Sequence, residues 1–220
     1  TSGPPKPRGG RSRVGSLIEK LFDWAYHVEP LAENSDHLNF RVCFQTYRGR
    51  SIDLPPGIRV ERGARVVELH QKNEMLARLH DDHPSPRAAA LAYIRLMGES
   101  LAALARAWRE DPRFQGVVAA YGVNLFADVA VRGGFTARPI RPEWRRKLLS
   151  WWIRRIVASH HPAGRARVIK NGVPLMAQEV WISREVCQQL YGEATEQSDA
   201  LDAARKSRRL QTALGQNRED

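Results

Sequence analysis

Cysteine is nearly absent: the 220 residues include two, Cys43 and Cys187. That is too few for a disulfide scaffold or a cysteine-rich zinc site, and it fits a reducing, cytosolic setting. Long hydrophobic runs are missing too. No stretch reaches the roughly 18 apolar residues that a spanning helix needs, and no signal-peptide core opens the chain. There is no Walker loop, no GxSxG elbow and no dinucleotide fingerprint, so no cofactor is expected. The spacings of helix-turn-helix, RRM and zinc-finger modules are also lacking, which makes nucleic acid the weaker of the possible partners.

What is present is ordinary in amount and uneven in placement. Hydrophobic residues make up 42% and charged residues 27%, as in a globular chain able to bury one sizeable core. The net charge is +11, and it has two sources. Residues 1–13 carry four basic groups and no acid, and residues 132–155 carry eight against the single acid Glu143. The remainder is neutral, so the basicity belongs to an arm and one segment.

The expected organisation is a disordered basic arm over 1–13, a single globular domain over 14–192 and a charged tail over 193–220, helical at most over "SDALDAARKSRRLQ". Within the domain, "SLIEKLFDWAY" has helical spacing behind a capping box of Ser16 and Glu19. "FRVCFQT" alternates as a strand, with Cys43 on its polar side. "IRVERGARVVELH" reads as two strands about Gly63. The clearest element is "SPRAAALAYIRLMGESLAALARAWRED", a long helix capped by Ser85 with a stripe from Ala90 through Leu91, Ile94, Met97, Leu101 and Leu104 to Trp108. Gly98 in that stripe predicts a close backbone approach. "GVVAAYGVNLF" reads as a buried strand, "ADVAVR" as a short helix stopped by Gly133 and Gly134, and "FTARPI" as another strand. "PEWRRKLLSWWIRRIVASHH" is a second strong helix. A hairpin turning at Asn171-Gly172 is expected to close the sheet, and Ser183 to cap a last helix holding an inert Cys187. The fold class is α+β (mixed α/β), a small mixed sheet packed by two long helices.

Four stretches could carry chemistry. In "RVVELHQKNE", Glu68 and His70 share a face on a strand, whereas His70 and Glu74 share one on a helix. Either geometry aligns only two of the three side chains, too few for a catalytic zinc, so no metal site is assigned. "HDDH" at 80–83 reads as a solvated loop before the long helix, and "SHHP" at 159–162 as a helix end. "WRRKLLSWWIRRIVA" spreads three tryptophans and several aliphatics over about two thirds of a helical wheel, with Arg145, Arg146, Lys147, Arg154 and Arg155 and no acid. Such a segment suits a wide core face with snorkelling arginines, an anionic membrane interface or a polyanion groove. The core face is the expectation.

"GARVVELHQKNE", "VAAYGVNLFADVAVRGGF" and "QEVWISREVCQQLYG" occur in this order, and together they resemble the YkoP-like domain, a bacterial family found alone or attached to polysaccharide deacetylases. The resemblance spans about residues 36–192. It implies a bacterial origin and a loose link to envelope carbohydrate metabolism, and it transfers no catalytic residue. Thr1 in place of Met at the first position would fit a piece cut from such a fusion. The resemblance singles out Leu69, His70 and Asn73, then Tyr121, Gly122 and Asn124, then Trp181, Ser183 and Tyr191. The leading expectation is therefore a binding or accessory module for a carbohydrate or lipid-linked envelope precursor. Its ligand would be held by Asn73, Glu68, Tyr121, Asn124 and Trp181 near His70. One rival is a transferase or hydrolase with His70 as general base. The other is a peripheral protein that docks on anionic membrane, or on nucleic acid, through residues 138–155.

Overall fold

The computed structural model describes residues 27–32, 35–83, 85–160, 168–170 and 172–192. The expected arm, the capping-box helix at 16–26 and the charged tail lie outside the described residues.

Alternating apolar side chains build the sheet. Strands β1 (Glu29–Pro30), β2 (Phe40–Thr46), β5 (Arg65–Gln71), β6 (Val117–Asn124), β7 (Thr136–Pro139) and β10 (Gln178–Ser183) pair in the order β1-β2-β5-β6-β10-β7. Every pairing is antiparallel except that of β5 with β6. That parallel pair needs a crossover, supplied by α1 (Asn73–Asp82) and α2 (Pro86–Glu110). The edge strands β1 and β7 each end in a charged residue followed by proline, Glu29–Pro30 and Arg138–Pro139. Two small hairpins stand apart from the sheet: β3 (Ile52–Leu54) with β4 (Ile58–Val60), and β8 (Ile169–Lys170) with β9 (Val173–Pro174). The turn at Gly172, where φ is +77°, is therefore in place, but its hairpin does not close the main sheet. β10 instead inserts between β6 and β7. Two further helices are α3 (Ala127–Arg132) and α4 (Glu143–His160), and α5 spans 184–192.

The sheet has apolar cover on both faces. On one, Phe40, Val42, Val67, Leu69, Ala120, Val180 and Ile182 meet Leu101, Leu104, Ala105 and Trp108 of α2 and Cys187 of α5. Close approach here depends on Gly122, because a Cβ at that position would stand 3.1 Å from the Leu69 carbonyl oxygen. On the other face, the β3–β4 hairpin seals Val66, Ala119 and Trp181 under Ile52, Leu54 and Val60. A third cluster joins Leu125, Ile140, Val168 and Ala177 to Leu149, Ile153 and Val157 of α4.

Ser85 caps α2, its Oγ accepting from the Ala88 N–H at 3.2 Å. Only the second half of the expected stripe is core: Leu91 and Ile94 are both 61% exposed, and open space surrounds Gly98. Length explains this. The 25 residues of α2 span about 37 Å, against about 26 Å for an eight-residue strand, so the helix overruns its sheet by two turns. Contrary to the expectation of no spanning segment, α2 is long and apolar enough to cross a bilayer by length and composition. Its second half is instead built into the core. "HDDH" also differs from expectation, since α1 runs through Asp82 and absorbs most of it.

Candidate functional site

Register brings the chemistry together. Cys43 pairs with Glu68, Glu68 with Tyr121, Tyr121 with Trp181 and Trp181 with Thr136, so one transverse row crosses five strands on the face opposite α2. Arg41 pairs with His70 and Gln45 with Val66 in the flanking rows. Residues in register share a face because side chains alternate along each strand. The β3–β4 hairpin covers the Val66 and Trp181 region, leaving Glu68, His70 and Tyr121 part-exposed beside it.

Glu68 is the hub. Its Oε2 accepts the Gln45 amide at 2.7 Å and the Tyr121 hydroxyl at 3.0 Å. The same hydroxyl lies 3.0 Å from Gln45 Oε1, so Gln45 and Tyr121 brace the carboxylate jointly. Burial, and next the charge of Glu68, push the Tyr121 phenol far above the ordinary tyrosine range; it stays a neutral donor. Its ring stacks on Trp181 with centroids 4.5 Å apart and planes 15° from parallel. Tyr47 meets the same indole edge-on at 5.5 Å. The Trp181 N–H donates to Glu179 Oε2 at 3.3 Å, placing a second carboxylate near Tyr121. His70 Nε2 stands 3.9 Å from Glu68 Oε2, an electrostatic contact beyond hydrogen-bond range.

The sequence-derived residues divide accordingly. Glu68, His70, Tyr121 and Trp181 converge, but Trp181 is 1% exposed. It is the wall behind Tyr121 and offers no ring face to a ligand. Leu69 points to the α2 face. Asn124 is taken by the chain itself, its Oδ1 accepting the Phe126 N–H at 2.7 Å before α3. Asn73 begins α1; its side chain and that of Glu74 lie outside the described residues. Ser183 donates to the Pro55 carbonyl at 2.6 Å and caps α5 through the Val186 N–H, while Tyr191 ties α5 to the Gly133 carbonyl at 3.0 Å. Among the described residues no group of three or more His, Cys, Asp or Glu side chains could hold a metal ion. Cys43 does lie on the polar face, as its alternation predicts, but is buried there, and burial raises its thiol pKa. Cys187 is fully buried and pushed up to about 12.

Of the basic set, Arg146 pairs with Glu143 at 3.0 Å and Arg154 donates to the Leu175 carbonyl at 2.8 Å, so both serve the fold. Arg145, Lys147 and Arg155 are exposed. Two site residues were missed in the sequence, Gln45 and Glu179. Strand alternation set Gln45 on the polar side, and Glu179 lies two positions from Trp181, but nothing local announced their partners.

The YkoP domain family matches residues 11–191, further toward the N-terminus than the resemblance beginning near residue 36. No curated protein and no solved structure matches the chain. With the three quoted stretches brought to one sheet and the match running from the basic arm to α5, the chain belongs to the YkoP domain family.

Proposed function

We propose that the chain is a ligand-binding module whose contact surface is the polar row of the sheet, with Glu68 as its central acceptor. One observation carries this: Glu68 is part-exposed, and among the described residues Gln45 and Tyr121 both hold it through Oε2. A carboxylate fixed through one oxygen is pre-oriented to accept from a hydroxyl or amide through the other, at little further entropic cost. His70 and Glu179 extend the polar surface. This donor and acceptor pattern suits a polyhydroxylated ligand, and we assign the class as carbohydrate, including lipid-linked envelope precursors. Recognition would rest on hydrogen bonds to hydroxyls, since Trp181 has no face free for stacking.

The test is a titration of the labelled protein with soluble envelope sugars and muropeptides, followed by NMR at the Gln45 side-chain amide and the His70 ring. Glu68→Gln keeps the shape and removes the charge, and is expected to weaken binding about 10- to 100-fold, as for loss of a charge-assisted hydrogen bond. Shifts confined to other surfaces, or an unchanged affinity in E68Q, would reject the reading. The general-base alternative has thinner support: His70 stands near Glu68, but Glu68 Oε2 is already engaged by two other donors.

A further inference from the structure

Helix α4 has two unlike faces. Leu149, Ile153 and Val157 pack into the cluster with Leu125, Ile140 and Val168, and Ser150 between them is fully buried. On the opposite side Trp144 is 67% exposed, Leu148 56%, Trp151 48% and Trp152 45%. The core-face expectation for these tryptophans is thus overturned. Apolar residues fill two arcs of this helix, and the core took the arc that holds the small Ser150.

At about 100° per residue, Trp144, Leu148, Trp151, Trp152 and Arg155 fall within about 100° of the wheel. Lys147 borders that arc on one side and Arg145 on the other, both exposed. The Arg155 guanidinium lies 5.1 Å over the Trp151 ring, which lets a cation sit inside the apolar stripe. The segment's acid, Glu143, is matched by Arg146, and the exposed charged residues in and beside the apolar stripe, Arg145, Lys147 and Arg155, are all basic. An outward helix face normally carries polar residues, and a contiguous apolar patch marks an interaction surface.

The occupant follows from the pairing of residue types. Indoles favour the headgroup level of a bilayer, and flanking lysine and arginine complement anionic lipid. A nucleic-acid surface would be continuously cationic, whereas here the cations bracket an apolar stripe. We propose that α4 docks on anionic membrane, lying in the interface plane with Trp144, Leu148, Trp151 and Trp152 inserted and Arg145, Lys147 and Arg155 at the headgroups. The site around Glu68 plays no part in this argument, and either proposal can fail without the other.

The experiment is co-sedimentation of the full chain with phosphatidylcholine vesicles, with and without phosphatidylglycerol. Binding is expected to the anionic vesicles, at least about tenfold weaker to the neutral ones, and to fall steeply with added salt. Trp151→Ser with Trp152→Ser should reduce it about tenfold or more, with the melting temperature held because both side chains are exposed. Lys147→Glu with Arg155→Glu should abolish the anionic preference. Equal binding to both vesicle types, or binding indifferent to the tryptophan pair, overturns the proposal. So does vesicle binding that is absent while duplex DNA or RNA is bound. A dimer that W151S/W152S dissociates, with no lipid binding, would make the stripe a contact between copies and equally overturn it.

Discussion

At the scale of single residues, the buried titratable groups tie stability to alkaline pH. Tyr121 keeps its proton in the folded chain well beyond the point at which an unfolded tyrosine loses it, about pH 10. Above that point the unfolded chain binds fewer protons than the folded one, so stability is intact below pH 10 and falls as pH rises. Tyr121→Phe removes one such group, and its melting temperature should decline less steeply with alkaline pH than that of the parent. Parallel declines would show that Tyr121 does not contribute. Cys187, pushed up to about 12, bears on reactivity. At mildly alkaline pH its labelling by a disulfide reagent should be no faster than global unfolding, as peptide mapping over time would show. Rapid labelling of the native chain would contradict its burial.

At the scale of elements, two serines do the same work in different helices. Ser100 Oγ donates to the Leu96 carbonyl at 2.7 Å and accepts the Asn39 N–H at 2.9 Å. Ser150 Oγ donates to the Arg146 carbonyl at 2.5 Å and accepts the Ala177 N–H at 2.8 Å. Each bonds back into its own helix and satisfies a loop amide that would otherwise be buried without a partner. Replacing either by alanine should cost about 1–3 kcal/mol, the desolvation penalty of an orphaned amide. Urea denaturation measures it, and a loss near zero would mean that water replaces the hydroxyl. Neither role was readable in the sequence, because the amides that the two serines satisfy lie 61 and 27 positions away. What was readable was local: the alternation of β2 and β5, the Ser85 cap, and the stop of α3 at Gly133 and Gly134. The insertion of β10 between β6 and β7 depends on pairing across dozens of residues, which no local pattern encodes. The same distance hid the site, since Gln45 and Glu68 stand 23 positions apart. The outward turn of Trp144, Trp151 and Trp152 was equally hidden, because a wheel apolar over two arcs does not say which one the core will take.

At the scale of the whole molecule, one sheet is common to the α2 cluster and the hairpin cluster. Trp108 sits in the first and Trp181 in the second, on opposite faces. The Trp108 N–H also donates to the Val117 carbonyl of β6 at 3.0 Å, binding α2 to the strand that both clusters share. Neither face can melt without removing the floor of the other, so unfolding should be a single transition. Far-UV circular dichroism and tryptophan fluorescence should report coincident midpoints; separated midpoints would show that the two layers open independently.

The ends of the sheet limit the company the protein can keep. A strand joining from outside needs a row of open amides and carbonyls, and the terminal strands present instead Glu29–Pro30 and Arg138–Pro139. Each proline lacks the amide that a newcomer would need, and each neighbouring charge resists being dried. At the first edge, Arg113 clasps Glu29 at 2.9 Å and accepts no substitute geometry lightly, since it also donates to Asp111 at 2.7 Å and to the Leu31 carbonyl at 3.2 Å. Lateral polymerisation, copy upon copy into a ribbon, is thereby discouraged at both margins. Contact through a face or a helix needs none of those edge amides and escapes that restriction.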